Sequence, residues 1–204
     1  MNRCTILFFL ICTWLPVPAQ NLSGIGARWS DSFVEWDLYA FVPDSARIAR
    51  EGDEDNDETE EPSEEAVGDL KLRWLNLRDD WTEWDYSVGE ERGTIRMKWK
   101  DDPTQWELRS YSGQVISMRA SWRNDFTEWR VTDNSISLTL KSRWTGQLDE
   151  WLVQDTNRGS FYMYTLVEGD PRDWAIEDNM DETVSQPMKM ALVFLAVFHA
   201  SPRI

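Results

Sequence analysis

The sequence predicts an all-β fold. It reads as an antiparallel meander of six Trp-containing β-hairpin repeats of about 22–23 residues, with about 12–13 strands, rolled into a barrel-like or two-sheet structure. Three observations carry this. Tryptophan, or an aliphatic residue in its place, recurs in pairs seven positions apart at a regular step. Apolar and polar residues alternate with period two around those pairs. Turn-forming residues fall between them.

The lattice is explicit in the letters. Trp29-SDSFVE-Trp36, Trp99-KDDPTQ-Trp106, Trp122-RNDFTE-Trp129 and Trp144-TGQLDE-Trp151 share one spacing, and Leu77-RDDWTE-Trp84 and Val167-EGDPRD-Trp174 repeat it with an aliphatic first anchor. From the second unit onward the first anchors fall at 77, 99, 122, 144 and 167, in steps of 22 or 23. Trp29, Trp36, Trp84, Trp99, Trp106, Trp122, Trp129, Trp144, Trp151 and Trp174 occupy the lattice. They are read as a structural set, turned inward with the Ile, Leu and Met residues that share their phase.

The elements follow in chain order. Residues 1–19 have the layout of a secretory signal peptide: a basic start at Arg3, an apolar run from Ile6 to Trp14, and Val17-Pro18-Ala19 before a cut. The chain is therefore expected to be exported (periplasmic, cell-surface or extracellular) after cleavage near Ala19, leaving one domain over 20–204. The first hairpin spans Trp29 and Trp36. An acidic insertion at about 44–67 follows, with ten acids and no base over Glu51–Glu65, and such a stretch cannot offset chain entropy by burying apolar area. It is expected to be disordered.

In the remaining units, Ile95-Met97-Trp99 alternates with Arg96 and Lys98, and Ile116-Met118-Ala120-Trp122 with Ser117, Arg119 and Ser121. Alternation of this kind marks half-buried strands and lacks the 3.6-residue spacing of a helical face. Six residues between anchors is read as placing the two tryptophans opposite one another across a tip of about four residues. Arg78 then faces Glu83, Lys100 faces Gln105, and Arg123 faces Glu128. The sixth unit sets Glu168 opposite Asp173, which this scheme does not explain. Ser112-Gly113, Asp133-Asn134 and Asn157-Arg158-Gly159 suit the opposite turns. The run Met188–Phe198 does not alternate, so it is read as a strand covered on both faces or a segment plugging the interior.

Composition limits the chemistry. With 37 Asp and Glu against 21 Lys and Arg, a net charge of −16 argues against nucleic acid as a partner. Both cysteines, Cys4 and Cys12, lie in the leader, and the single histidine, His199, stands near the end. No catalytic residue set, metal site or cofactor motif stands out, and the chain is read as not an enzyme. What repeats is the tip. Its fourth position is apolar in every unit, as Phe33, Trp81, Pro103, Phe126, Leu148 and Pro171. These residues are the candidate partner or ligand contacts, with Trp81 and Phe126 the leading anchors. The alternative is that each folds back over its own tryptophans and seals the barrel end. The main reading is an exported non-enzymatic binding or structural β-repeat protein whose partner is a glycan, a protein or an apolar small molecule. The alternatives are an outer-membrane β-barrel, with membrane association not favoured, and a carrier of an apolar small molecule in the barrel cavity.

Overall fold

The computed structural model describes residues 21–41, 63–75 and 80–202. The signal peptide, most of the acidic insertion and the anchor Leu77 with its neighbour Arg78 lie outside them. Twelve strands run in sequence order: β1 (Leu22–Trp29), β2 (Ser32–Phe41), β3 (Glu64–Leu72), β4 (Glu83–Val88), β5 (Glu91–Met97), β6 (Gln105–Ser110), β7 (Val115–Trp122), β8 (Asp125–Thr132), β9 (Ser137–Ser142), β10 (Glu150–Asp155), β11 (Gly159–Val167) and β12 (Asp170–Met180). Each pairs antiparallel with the next, and β1 closes on β12 through Gly24–Ala175, Ile25–Trp174 and Gly26–Asp173. The result is a closed barrel, which removes every sheet edge. The expected six hairpins are the pairs β1–β2 through β11–β12. Strand β3 begins at Glu64, so the last four residues assigned to the insertion, Glu64 to Val67, are strand.

Twelve strands enclose more space than their own side chains fill. The chain supplies the filling itself. Helix α1 (Gln186–Ala200) stands inside the barrel, with its residues from Gln186 to Phe198 all buried. The non-alternating apolar run is thus the interior plug, and the covered-strand reading is corrected. An unbroken apolar run fits either a fully buried strand or a fully buried helix, and Met, Ala and Leu favour the helix once it is wrapped on all sides. Pro187 in the first turn sits where a missing N–H is harmless.

The inward face of the wall is apolar: Leu38, Leu70, Ile95, Leu108, Ile116, Leu138, Leu140 and Met163 are fully buried around α1. The outward face is charged, with ion pairs Arg96–Glu107, Arg109–Glu107 and Lys141–Glu128.

The tryptophan lattice divides into two sets. Trp36, Trp84, Trp106, Trp129, Trp151 and Trp174 are at most 2% exposed, whereas Trp29, Trp99, Trp122 and Trp144 are 48–65% exposed. The expectation that all ten face inward, as opposed pairs, is therefore corrected. Register explains the difference. Ala27 and Ala120 face Trp36 and Trp129, but one step on, Trp29 faces Ser32 and Trp122 faces Asp125. A bulge between Ala27 and Trp29, and another between Ala120 and Trp122, turns the first anchor out of phase and onto the outside. The facing charge pairs change with it: Glu83 binds Arg73, and Glu128 binds Lys141 on the adjacent hairpin.

Candidate functional site

Each inner tryptophan needs a partner for its buried indole N–H. It finds one at the tip of its own hairpin, three residues back. Trp36 donates to the carbonyl oxygen of Phe33 at 3.2 Å, Trp84 to Trp81 at 3.1 Å and Trp106 to Pro103 at 3.0 Å. Trp129 donates to Phe126 at 2.9 Å, Trp151 to Leu148 at 2.8 Å and Trp174 to Pro171 at 2.9 Å. The six apolar tip residues are thus the six acceptors of the six buried indoles. Phe33, Trp81, Phe126 and Leu148 are half-buried against the core. Phe126 also stacks on His199, whose ring lies 4.8 Å from both Phe126 and Trp129. Between Phe33, Trp36, Trp81, Trp84 and the end of α1 only a crevice of about 10 Å³ remains, about the room for one water.

Three tips share a second device. Asp80, Asp102 and Asp125 each accept the backbone N–H of the threonine two residues on, Thr82, Thr104 and Thr127, at 2.9–3.1 Å. The threonine hydroxyl donates to the same oxygen, and these bonds hold all three carboxyls below the ordinary aspartate range.

The surface that the sequence reading did not anticipate is the outer tryptophan belt, on the barrel wall beside the tips. In three units the outer tryptophan is clamped. Arg28-Trp29 meets Glu35, with the indole N–H 2.9 Å and the guanidinium 3.5 Å from the carboxylate. Arg73-Trp74 meets Glu83 at 3.2 and 3.4 Å, and Arg143-Trp144 meets Glu150 at 2.9 and 3.0 Å. Trp74, off the sequence lattice, is the outer tryptophan of the second unit, and Leu77 lies outside the described residues. Tyr162 and Trp144 donate to Glu150 and hold its carboxyl below its ordinary value. The Arg143 guanidinium lies 5.1 Å over the Trp144 ring. The signal for this clamp is present in the letters, as Arg-Trp followed by Glu-Trp.

Two adjacent units break the pattern. In the third, Gln105 stands where the clamping glutamate would, and in the fourth, Ser121 replaces the arginine while Glu128 turns to Lys141 at 2.9 Å. Trp99 and Trp122 are the most exposed tryptophans, at 59% and 65%, and neither indole donates to a protein acceptor among the described residues. Between these units the outer wall opens into a groove of about 910 Å³ that includes Trp122, Arg119, Arg123 and Arg130.

Among the described residues, no three His, Cys, Asp or Glu side chains converge as ligands of a metal ion would. No family model, curated protein or solved structure matches the chain. The reading of function therefore rests on geometry.

Proposed function

We propose that this chain is an exported, non-enzymatic binding protein whose filled barrel is a rigid support for an aromatic contact surface. The observation that carries the reading is the outer belt: Trp29, Trp74, Trp99, Trp122 and Trp144, 43–65% exposed, all beside one end of the barrel. Large aromatic rings left in water on a rigid sheet cost solubility and return contact area when a partner covers them. The belt is the more open surface beside the tips, whose backbone carbonyls cap the inner tryptophans and of which Phe33, Trp81, Phe126 and Leu148 are half-buried against the core.

The two alternatives find less support. A carrier needs an apolar cavity, and α1 occupies the interior. A membrane barrel needs an outward apolar band about 25 Å tall, whereas outward positions here carry Arg96, Glu107, Arg109, Glu128 and Lys141. Repetition of one ring at five of the six hairpins suits a repeating partner such as a glycan chain, which can be met at several points at once.

The test is intrinsic fluorescence of the purified chain titrated with neutral and acidic oligosaccharides, beside a variant carrying W29S, W99S, W122S and W144S. Binding by the parent chain, lost in a variant that keeps its β-sheet circular dichroism, is the expected result. Equal binding by both, or by neither, would overturn the reading. Export is tested separately, by the N-terminal sequence of the protein recovered outside the producing cell's cytoplasm, expected at Gln20.

A further inference from the structure

We propose that the groove between the third and fourth hairpins binds an acidic saccharide, its carboxylate or sulfate gripped by Arg119 and Arg130 and a sugar face laid on Trp122. The proposal rests on the outer-belt reading above and names the ligand class of one part of that belt.

Charge distribution is the first argument. Residues 92–143 hold ten of the chain's 21 Lys and Arg but only six of its 37 acids, so a strongly acidic protein carries one basic sector. Within that sector Arg119 and Arg130 stand directly opposite one another across β7 and β8, both exposed. Their other cross-strand neighbours are Gln105 and Thr139, so the row Gln105–Arg119–Arg130–Thr139 contains no carboxylate. Like charges facing across a ladder destabilise it. Neighbouring rows show the ordinary solution, with Arg96 against Glu107 and Lys141 against Glu128. Among the described residues Arg119, Arg123 and Arg130 form no ion pair, in a chain with acids to spare. An arrangement that weakens the sheet and is not needed by the fold finds its reason in a ligand.

The second argument is what the groove's acids are doing. Asp102 is held by Thr104 and Gln105, and Glu128 by Lys141, which keeps its carboxyl below the ordinary value. Only Asp101, in the left-handed turn position at φ 64°, has no such engagement among the described residues. The facing pair Arg119 and Arg130 therefore meets one uncommitted carboxylate, while the Arg123 charge lies near Asp102 and helps to hold its carboxyl low. Guanidinium forks match a carboxylate or sulfate with paired hydrogen bonds, and two facing forks can hold one oxyanion from both sides.

The third argument is Trp122. It is the most exposed tryptophan of the belt, and its indole N–H is uncommitted because Glu128, which stands in the place of the clamping glutamate, turns to Lys141. A bare inorganic anion would make no use of that ring. An acidic sugar uses both parts, with its ring on the indole face and its charge on the arginines. The groove's volume, about 910 Å³, is in the range of small-ligand sites. An extended anionic surface is disfavoured by the acids over the rest of the wall, which repel it at longer range.

The experiment measures tryptophan fluorescence of the purified chain with three probes: tetragalacturonate, a sulfated disaccharide and neutral maltotetraose. Quenching by the uronate or by the sulfated sugar, weakened on raising salt from about 0.05 to about 0.5 M, is the expected result, and the two arms tell which oxyanion is preferred. The double variant R119Q/R130Q is expected to lose about tenfold or more in affinity while melting at a higher temperature than the parent, because the facing charges are gone. W122A loses affinity with its melting temperature unchanged. Absence of quenching by both anionic probes, an undiminished affinity in R119Q/R130Q, or stronger binding to phosphatidylglycerol vesicles than to either sugar would each overturn the proposal. Binding of maltotetraose alone, unaffected by the arginine variant, would overturn it and leave the belt reading standing.

Discussion

Lys189 Nζ lies 2.6 Å from Asp178 Oδ2, and the two side chains are 2% and 0% exposed. One comes from the central helix and the other from the last strand of the wall. The lysine also reaches Asn21 Oδ1 at 3.3 Å, and the second carboxylate oxygen of Asp178 accepts the Met180 N–H at 3.1 Å. Between Met190 and Phe198 α1 is apolar on every side, so packing of that stretch leaves its rotation and height weakly determined. A directional ion pair sets both.

Removing one partner leaves the other charged and buried. Asp178→Ala is expected to lower stability by about 3–5 kcal/mol, whereas D178L/K189M, which removes both charges, is expected to recover most of the loss. Urea denaturation of the two variants checks this. A loss below about 1 kcal/mol for the single variant would show that the pair is not a determinant of helix position.

The inner and outer tryptophans are expected to respond oppositely. Trp129 is fully buried and donates to Phe126, so Trp129→Ala should cost about 3–5 kcal/mol, and Trp129→Phe about 1–3 kcal/mol through the unpaired carbonyl and the smaller ring. Trp122→Ala, at an exposed ring, should stay within about 0.5 kcal/mol of the parent. The same measurement on both separates scaffold from surface.

This division was only half legible in the sequence. The hairpins, their number and the rolled meander followed from alternation and spacing, because those patterns report burial directly, whereas the choice between a barrel and two packed sheets rests on the pairing of β1 with β12. Trp122 and Trp129 look equivalent as letters, however, and nothing in period-two alternation marks the bulge after Ala120 that turns one of them outward. The plug was ambiguous for a different reason: Met188–Phe198 is surrounded on all sides, and full burial erases the periodicity that tells helix from strand. Trp74 stands ten residues before Trp84, outside the seven-residue spacing of the other units, so spacing alone does not mark it. The uncommitted state of Arg119 and Arg130 depends on which residues face them across the ladder, and a single strand's letters do not give that.

Gly68 marks a place where the wall tolerates no side chain. A Cβ there would stand 1.9 Å from the Ser87 carbonyl oxygen on β4, a backbone atom that cannot step aside without breaking the ladder. Gly68→Ala is expected to destabilise the barrel by about 1–3 kcal/mol, and more if closure is disturbed. Gly146→Ala offers a contrasting case. Its Cβ would meet nothing within 4 Å, but its φ of 80° imposes a backbone cost of about 1 kcal/mol without a clash. Thermal melts of the two variants, followed by far-ultraviolet circular dichroism, should rank Gly68→Ala as the more damaging.

The aspartates at three tips give the fold an acid-sensitive rim. Threonine hydroxyls and backbone N–H groups hold the Asp80, Asp102 and Asp125 carboxyls below their ordinary value. A carboxyl whose folded pKa is depressed binds its proton more readily in the unfolded chain. Its contribution is therefore fully present above the unfolded value, near about 3.9, and is lost as pH falls through the lower folded value. The tips stand in water, so screening limits each to about 0.5 kcal/mol. Stability measured by denaturant midpoint should hold steady from pH 7 to pH 5 and decline below about pH 4. In the variant D80N/D102N/D125N an amide oxygen can still accept the threonine bonds but carries no charge to titrate. That variant should begin slightly less stable at pH 7 and decline less steeply in acid. An unchanged acid slope would assign the decline to other carboxylates, the outer ion pairs first among them.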